Sequence, residues 1–491
     1  MTGTSKMATI TTVDPATGAR IADHPVTTPR ESTAMLDRAV DAVARRRAGP
    51  AAERADRLRA LAGRLRSGAP EFALLIATEM GKPVDQARSE LDKCATACEY
   101  YADRVAGLLE PRPVEVAPDA ARVRLLPLGV VLAIMPWNYP FWQVFRSMLP
   151  AVAIGNSVLL KHADSVTGSA LAVRALFYQA FGPGVLDAVV LPAERIGPLI
   201  DDPRIAAVAF TGSNRVGALV GARAGAAVKK AVLELGGSDP FVVLADADVR
   251  AAARAAIRSR FLNTGQSCIA AKRLIVERAV RDEFVDAAVA ELDTLVLGAP
   301  AAAGTDVGPM ARIDLRDRLR EQLAATLAGG ARLLAGGAPI DRPGAWFTPT
   351  LVEVFDTGNT AFRDETFGPL GAVYAVDSAA AAVEAANDSV YGLSCSIWSG
   401  DPEHAGRLAE GIAAGSVFVN RISESDPRLP VGGVKASGFG RELAEYGAVE
   451  FANVQAVRIA PAHLAPAGTA PARTAADRTA ARPARSVRST S

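Results

Sequence analysis

Cysteine and histidine are both scarce in this sequence, with four residues of each among 491. Four cysteines, unclustered apart from one pair, do not make a disulfide framework, and such usage is typical of a reducing compartment. No histidine stands beside a serine or cysteine nucleophile or pairs with another at metal-ligand spacing. The sequence therefore gives little support to a histidine-assisted hydrolase and predicts no metal site.

A large excess of charge and long apolar runs are missing too. The formal net charge is +1, so bulk electrostatics does not favour nucleic acid or an anionic membrane as a partner. No apolar run approaches the length of a membrane span, and residues 1–14 are polar rather than a secretory signal. We therefore expect a cytoplasmic protein without nucleic-acid or membrane partners. Residues 461–491, rich in Ala, Pro, Arg, Thr and Ser, are expected to be a disordered tail.

The remaining composition is that of a folded α/β protein. Hydrophobic residues make up 49% and charged residues 22%, and a chain this long predicts two or more domains. After mostly amphipathic helix, apolar strands alternate with helices, which predicts doubly wound parallel sheets. Strands are predicted over 130–135, 157–161, 188–191, 205–210, 228–235, 241–244 and 274–277, and helices over 167–181 and 249–261, among others.

Four residues with useful chemistry fall at or just after the ends of predicted strands. They are Asn138, Lys161, Gly212 and Glu234. Ligands of doubly wound sheets bind beyond the carboxyl ends of the strands, so this coincidence indicates a site. The turn at 210–217 runs from strand through glycine into helix and suits a pyrophosphate, but it lacks the common Gly-x-Gly-x-x-Gly spacing and is weak evidence alone.

The cysteines differ in their surroundings. Cys94 and Cys98 lie four apart on one predicted helix and are expected in the core, as is Cys395 in a predicted strand. Cys268 lies in a glycine-containing loop, where backbone N–H groups can hold a reactive thiolate. Glu234 stands between apolar residues, and burial there would raise its pKa towards that of a general base. Taken singly, an inert cysteine and an ion-paired glutamate are the more common readings.

Six motifs in one order resolve this ambiguity. They occupy residues 136–138, 210–213, 234–237, 265–268, 365–369 and 432–438. In this order and spacing the chain resembles the aldehyde dehydrogenase superfamily over residues 13–459. The resemblance implies two doubly wound Rossmann-like domains with a small oligomerisation element. It places a dinucleotide-binding domain at 1–236 with an excursion near 108–126, a catalytic domain at 237–440, and a returning oligomerisation strand at 441–460. It also implies a homodimer or homotetramer.

The resemblance assigns roles to individual residues. Cys268 would be the nucleophile and Glu234 the base that activates water, which argues against acyl transfer to coenzyme A. Asn138 and the Cys268 backbone N–H would bind the oxyanion. Residues implied to bind the dinucleotide are Pro136, Trp137, Lys161, Asp164, Gly212, Ser213, Glu365 and Phe367.

The cofactor preference depends on Asp164. A carboxylate there accepts a hydrogen bond from a ribose 2′-hydroxyl and repels a 2′-phosphate, so we expect NAD, with NADP possible.

The substrate is indicated by a more specific resemblance, to bacterial succinate-semialdehyde dehydrogenases. Arg146, on a helix expected to begin at Asn138, would hold the distal carboxylate of that aldehyde, with Trp142, Ser425 and Arg428 also in the substrate site. Two departures are Leu262, where some relatives carry a second arginine, and Ala270, where others carry a second cysteine. The alternatives are another aliphatic or aromatic aldehyde, with Arg146 structural, a thioesterase-like hydrolase that uses Cys268 alone, or a non-catalytic dinucleotide-binding relative.

Overall fold

The computed structural model describes residues 8–461, so nearly all of the tail expected at 461–491 lies outside the described residues. The chain begins with an antiparallel pair of strands and a block of helices. An antiparallel hairpin of two strands follows this block. These elements are β1 (Thr9–Val13), β2 (Arg20–Pro25), α1 (Pro29–Ala48), α2 (Ala51–Ser67), α3 (Ala69–Met80), α4 (Val84–Leu109), β3 (Arg112–Val116) and β4 (Asp119–Pro127).

The first α/β layer is a parallel sheet whose strands are linked by helices. Its elements are β5 (Val130–Met135), α5 (Trp142–Ile154), β6 (Ser157–His162), α6 (Thr167–Phe181), β7 (Leu186–Ala188), α7 (Gly197–Asp201), β8 (Ile205–Thr211), α8 (Asn214–Ala226) and β9 (Lys230–Glu234). The strand order β9-β8-β5-β6-β7 reverses direction at β5, which is where a doubly wound sheet opens a crevice. Strands β5 and β6 are buried along their whole length, as parallel strands covered on both faces must be.

A second sheet contains the rest of the α/β chain. Its elements are β10 (Asp239–Val243), α9 (Val249–Phe261), β11 (Ala271–Glu277), α10 (Arg281–Asp293), α11 (Ile313–Ala328), β12 (Arg332–Ala335), β13 (Thr350–Val354), α12 (Thr360–Arg363), β14 (Leu370–Val376), α13 (Ala379–Asn387), β15 (Ser394–Trp398), α14 (Pro402–Ala409) and β16 (Ser416–Val419). The strand order is β12-β13-β14-β11-β10-β15-β16, and every neighbouring pair except β12–β13 is parallel.

The chain then returns through β17 (Gly438–Phe439), α15 (Ala444–Glu450) and β18 (Ala452–Ile459). Strand β17 pairs antiparallel with β9 and extends the first sheet to six strands. Strands β18, β4 and β3 form a three-stranded sheet. Among the described residues, 111–124 and 454–461 make a compact unit distinct from residues 8–110 and 125–453. No helix within residues 8–461 is long and apolar enough to cross a membrane.

Three predicted boundaries are wrong, each for a local reason. The strand predicted over 188–191 lies at Leu186–Ala188, because both backbone groups of Val190 bond to Thr27 instead of to a strand. The strand predicted over 228–235 begins at Lys230, because Val228 is a turn residue with φ 56° and 94% exposure.

The third error concerns the helix that carries Arg146. It was expected to begin at Asn138, but α5 begins at Trp142. Tyr139 precedes Pro140, and a residue before proline is pushed out of the helical region. The N–H groups of Phe141 and Trp142 instead bond to the buried Glu90 carboxylate, which marks the true start of the helix. Arg146 therefore lies one turn into α5, not two.

Candidate active site

The loop between α9 and β11 presents Cys268 in a partly exposed position, whereas Cys94, Cys98 and Cys395 are buried as expected. Before Cys268 the chain takes three consecutive left-handed residues, Asn263, Thr264 and Gly265, with φ of 56°, 56° and 69°. At Gly265 a Cβ atom would lie 2.4 Å from the Gly368 carbonyl oxygen, so the close approach requires glycine. Such strain is retained where the surrounding structure enforces it, typically at functional sites.

Lys272 fixes the backbone on either side of the cysteine. Its buried ammonium donates to the carbonyl oxygens of Ser267 and Cys268, at 2.8 and 2.7 Å. The same Nζ lies 3.7 Å from Oε1 of Glu365. The ammonium thus anchors both peptide carbonyls next to the thiol, and its charge acts on the sulfur.

The surroundings of Cys268 favour the protonated thiol over the thiolate. Burial raises its pKa to about 11, although the nearby Arg146 and Lys272 cations lower it. A thiolate is the nucleophilic form of cysteine, so addition to a substrate requires a base that accepts the thiol proton.

Glu234 is the buried carboxylate best suited to accept this proton. It ends strand β9 with 2% exposure, and its Oε1 has no hydrogen-bond partner in the described part of the chain. Burial raises its pKa, the neighbouring Glu442 carboxylate raises it further, and Arg146 opposes both. A carboxylate with a raised pKa and a free oxygen is suited to accept a proton near neutrality.

The side chain of Asn138 packs against the cysteine loop. Its Nδ2 donates to the Gln266 carbonyl at 3.1 Å, and its Oδ1 accepts from Gln143 at 3.3 Å. The Asn138 carbonyl accepts from the side chain of Asn263 at 2.8 Å. These bonds hold the amide next to the loop that carries Cys268.

The predicted substrate residues divide into two groups. Arg146 is buried and pairs through Nε with Glu442, while its Nη2 has no hydrogen bond in the described residues and lies 4.0 Å from Glu234 Oε2. The Trp142 indole N–H donates to the Ser425 hydroxyl at 2.9 Å. Arg428 does not join them: its side chain is 73% exposed and pairs with Asp426 at 2.6 Å.

A cavity of about 640 Å³ lies beyond the carboxyl ends of β5, β6 and β8. Five of the residues predicted to bind the dinucleotide line it, namely Pro136, Lys161, Asp164, Gly212 and Ser213. The structure therefore brings these residues together, at the edge where a doubly wound sheet binds its ligand.

Two local features fit a dinucleotide in this cavity. Ser213 is the residue before α8, so the free N–H groups of a helix N-terminus face the site, and a Cβ on Gly212 would lie 2.6 Å from the Phe210 ring. Two hydroxyls of the lining, Ser165 Oγ and Thr211 Oγ1, are buried without partners among the described residues. A polar ligand would satisfy them.

The residues Trp137, Glu365 and Phe367 are not part of the lining of this cavity. The rings of Trp137 and Phe367 meet edge to face at 5.7 Å. Glu365 Oε1 accepts from the Gly237 N–H at 3.0 Å, and a Cβ on Gly237 would lie 2.7 Å from the Cys268 carbonyl oxygen. Segments 236–237, 268 and 365–367 are thus in close contact.

Three buried charged residues at the site were not predicted from the sequence. Arg260 donates to the carbonyl oxygens of Gly265, Thr366, Gly368 and Leu370, and so ties the cysteine loop to segment 366–370. Lys272 has a sequence signal, because it and Arg273 place two cations inside an otherwise apolar strand. Glu442 has none, since its partner Arg146 is 296 positions away. Residues 8–461 contain no cluster of side chains able to hold a metal ion.

The chain is similar in sequence to known proteins over most of its length. Residues 2–457 of the chain match the sequence model of a family described as "Aldehyde dehydrogenase family". The succinate semialdehyde dehydrogenase [NAD(P)+] Sad of Escherichia coli is 46% identical over 403 residues, which are 82% of this chain and 87% of that protein. A probable succinate-semialdehyde dehydrogenase [NADP(+)] of Synechocystis is 41% identical over 91% of this chain and 98% of its own length.

A solved structure agrees with these relatives. The succinic semialdehyde dehydrogenase of Streptococcus pyogenes, in complex with NADP+, superposes with a TM-score of 0.90 at 34% identity, covering 92% of this chain and all of that one. The expected α/β fold and the expected resemblance are both confirmed. From its motif order, its cysteine site and these matches, the chain belongs to the aldehyde dehydrogenase family.

Proposed function

We propose that the protein oxidises succinate semialdehyde to succinate with NAD or NADP, through a thioester on Cys268. The observation that supports this most is the meeting of a thiol, a base and an amide around one strained loop. Cys268 has a raised pKa and needs a proton acceptor, and Glu234 is a buried carboxylate with an unpartnered oxygen whose charge acts on that thiol. Asn138 completes the group by its contact with Gln266.

The steps follow from these groups. The Cys268 sulfur adds to the aldehyde carbon, and the thiol proton passes to Glu234. The carbonyl oxygen becomes an alkoxide that accepts hydrogen bonds from Asn138 Nδ2 and the Cys268 N–H, and one such donor contributes about 2.7–4 kcal/mol. The bound dinucleotide supplies the acceptor for the hydride that leaves this carbon, so a thioester remains. Glu234, having released its proton to solvent, takes a proton from water, and the hydroxide attacks the thioester and releases the acid.

The cofactor assignment rests on fit. The 640 Å³ cavity, the N-terminus of α8 and the unpartnered hydroxyls of Ser165 and Thr211 suit a phosphate-bearing polar ligand. In this assignment Lys161 and Asp164 face the adenosine ribose, while Glu365 and Phe367 face the nicotinamide end. Lys161 Nζ donates to Asp164 Oδ1 at 2.6 Å, which keeps that carboxylate at the ribose position and favours NAD over NADP.

The choice of aldehyde rests on the names of the relatives and on the Arg146 cation. The E. coli and Synechocystis relatives are named as succinate-semialdehyde dehydrogenases. Near the reacting atoms, Arg146 keeps an unpartnered Nη2, and Trp142 and Ser425 lie side by side. An aldehyde with a distal carboxylate suits this charge better than an aliphatic one such as hexanal.

The role of Glu234 is tested by Glu234→Gln with succinate semialdehyde and NAD. The Cys268 thiol must then release its proton to solvent instead of to Glu234, which slows its addition to the aldehyde, but thioester hydrolysis loses the base that activates water and is slowed more. We therefore expect a burst of about one reduced cofactor per active site, followed by turnover at least ~100-fold slower than wild type. Stopped-flow absorbance at 340 nm measures both phases.

Two controls frame this experiment. Glu445→Gln removes an exposed carboxylate of α15 and should leave both phases unchanged. Cys268→Ala should abolish the burst. A Glu234→Gln enzyme with wild-type turnover would contradict the base assignment, and a wild-type enzyme that prefers hexanal to succinate semialdehyde would contradict the substrate.

We also propose the domain division 1–236 and 237–440, with an oligomerisation element formed by the excursion near 108–126 and by 441–460. Its support is that the cavity lies beyond the carboxyl ends of three strands of the first sheet, whereas the Cys268 loop leads into a strand of the second sheet. Assembly as a homodimer or homotetramer and a cytoplasmic location are part of the same proposal.

A further inference from the structure

The distal carboxylate of a semialdehyde needs a cation, because a carboxylate that loses water without a partner is strongly destabilised. Three cations come from the helices and the loop that carry this part of the site: Arg146 on α5 with Trp142, Lys93 on α4, and Arg428 on the loop with Ser425. They differ in how far each is already neutralised by the protein, and this difference identifies the cation that is available to a substrate.

Arg146 is largely committed within the protein. It pairs with Glu442 and lies 4.0 Å from Glu234, and all three side chains are buried. Its charge lowers the pKa values of both Glu234 and Cys268. Removing Arg146 would therefore disturb the chemistry of every aldehyde, and only its unpartnered Nη2 remains for the carboxylate of a substrate.

The loop that carries Ser425 is neutral as a whole. Arg428 pairs with Asp426 at 2.6 Å, and Arg421 pairs with Glu424 at 3.3 Å. Both arginines point largely into solvent, with side-chain exposures of 73% and 71%. Each cation of the loop already has a carboxylate from the same loop.

Lys93 is different. Its ammonium lies 4.8 Å from the centre of the Trp142 ring, and no hydrogen bond or ion pair reaches it from residues 8–461. It projects from α4 and is partly buried. Burial lowers its pKa to about 8, against the attraction of Glu424, and Arg146 lowers it further. An ammonium in such a place, with an aromatic face as its main neighbour, has a free side for an anion.

Ser425 adds a donor at the same point. Its oxygen accepts the Trp142 indole N–H at 2.9 Å, and its own hydroxyl hydrogen has no acceptor in the described structure. A carboxylate beside Trp142 would meet the Lys93 ammonium and the Ser425 hydroxyl together, and charge-assisted bonds of this kind are the strong ones.

We infer that Lys93 is a substrate-specificity residue, whose ammonium binds the distal carboxylate of the aldehyde beside Trp142 and Ser425. This inference rests on the proposed function, because it presumes a carboxylated aldehyde. In this arrangement Lys93 adds a second cation for the carboxylate beside the unpartnered Nη2 of Arg146, and Arg146 also tunes the reacting groups.

The test compares Lys93→Met and Lys93→Arg with wild type on succinate semialdehyde and on butanal, which has the same chain length without the carboxylate. We expect Lys93→Met to raise KM for succinate semialdehyde about 10-fold or more, with kcat within twofold and butanal kinetics unchanged. Lys93→Arg, which keeps the charge, should recover most of the loss. Lys93→Gln serves if the methionine variant does not fold.

A matched control is available on the same helix. Arg104 stacks its guanidinium on Tyr100 at 5.3 Å and is exposed, so Arg104→Met removes a cation from an aromatic face away from Trp142. It should leave both substrates unaffected. If Lys93 only stabilises α4, then Lys93→Met alters the two aldehydes alike, or neither, and the inference is overturned.

The outcomes for the two proposals are separable. A wild-type enzyme that prefers succinate semialdehyde, and keeps that preference in Lys93→Met, overturns the role of Lys93 alone. A wild-type enzyme that oxidises butanal and no carboxylated aldehyde overturns both.

Discussion

At the residue scale, burial raises the pKa of Glu234, and two neighbours of opposite charge adjust it further. Glu442 raises its pKa and Arg146 lowers it, while Arg146 and Glu442 pair with each other. Only the ionised carboxylate can take a proton from water. Because the pKa of Glu234 is raised, the fraction of ionised base falls as pH decreases towards and through that raised value.

Replacing Glu442 by Gln should therefore extend activity to lower pH. The change removes the negative charge that repels Glu234 and frees Arg146 to stabilise the ionised base, so the pKa of Glu234 falls. We expect the acid limb of thioester hydrolysis to move down by about one pH unit, equivalent to ~1.4 kcal/mol. Rapid-quench decay of the acyl-enzyme between pH 5.5 and 9.5 measures it.

The control for this profile is Glu445→Gln, which changes an exposed carboxylate three positions away. Its acid limb should coincide with wild type. An unmoved limb in Glu442→Gln would show that Glu442 does not act on the base, and a limb moved upwards would reverse the assigned sign.

At the scale of elements, the start of α5 depends on a buried ion pair. Lys82 and Glu90 form a salt bridge with side chains that are each 1% exposed. The other oxygen of Glu90 accepts from the N–H groups of Phe141 and Trp142, both at 2.9 Å. Lys82 also lies 3.7 Å from the centre of the Tyr139 ring. The pair thus holds the turn between Asn138 and α5.

Glu90→Gln should be strongly destabilising. It leaves the Lys82 ammonium buried without a counter-charge, and loss of one partner of a buried pair costs about 3–5 kcal/mol. Urea unfolding followed by circular dichroism measures the loss. The double change Lys82→Met with Glu90→Gln should recover part of it, because no unpaired charge remains.

Glu31→Gln is the matched control, since Glu31 caps α1 on the surface. Its amide oxygen can still accept the Thr28 N–H, so we expect a loss below ~1 kcal/mol. Equal losses in the Glu31 and Glu90 variants would contradict a special role for the buried pair.

The bounds of individual helices and strands show what could be predicted from the sequence. The strand Val130–Met135 and the helices Thr167–Phe181 and Val249–Phe261 have the predicted bounds, because their apolar periodicity is strong and their ends are marked locally. The start of α5 was missed because its cap, Glu90, lies about fifty positions earlier in the chain. The order of the six motifs was enough to identify the family. The roles of Lys93, Arg260 and Glu442 could not be predicted, because they depend on contacts that no local sequence pattern encodes.

At the scale of the whole molecule, cofactor binding and folding are linked. A ligand that binds only the folded state stabilises it by RT ln(1 + [L]/Kd), about 2.7 kcal/mol at one hundred times Kd. A carboxylate at position 164 should make this stabilisation larger for NAD than for NADP, because it repels a 2′-phosphate.

We expect equal concentrations of NAD and NADP to raise Tm by different amounts, with the larger shift for NAD. Asp164→Ser should narrow or reverse the difference. Differential scanning fluorimetry measures the shifts, and kcat/KM for the two cofactors provides an independent check. An equally large difference between NAD and NADP in wild type and Asp164→Ser would contradict the assignment; Asp314→Ser, which alters another acidic residue of the cavity, is the control.

Arg260 has a consequence for motion within the molecule. One guanidinium bonds to the carbonyl oxygens of Gly265, Thr366, Gly368 and Leu370, so two segments a hundred positions apart share a single rigid clamp. We therefore expect the two segments to fluctuate together. The distance between the Cys268 sulfur and the Phe367 ring should vary less than the distance from either group to the rest of the protein. In the proposed reaction Cys268 holds the carbon that loses hydride and Phe367 faces the nicotinamide, so we expect the clamp to narrow the range of transfer distances without contact with the reacting atoms.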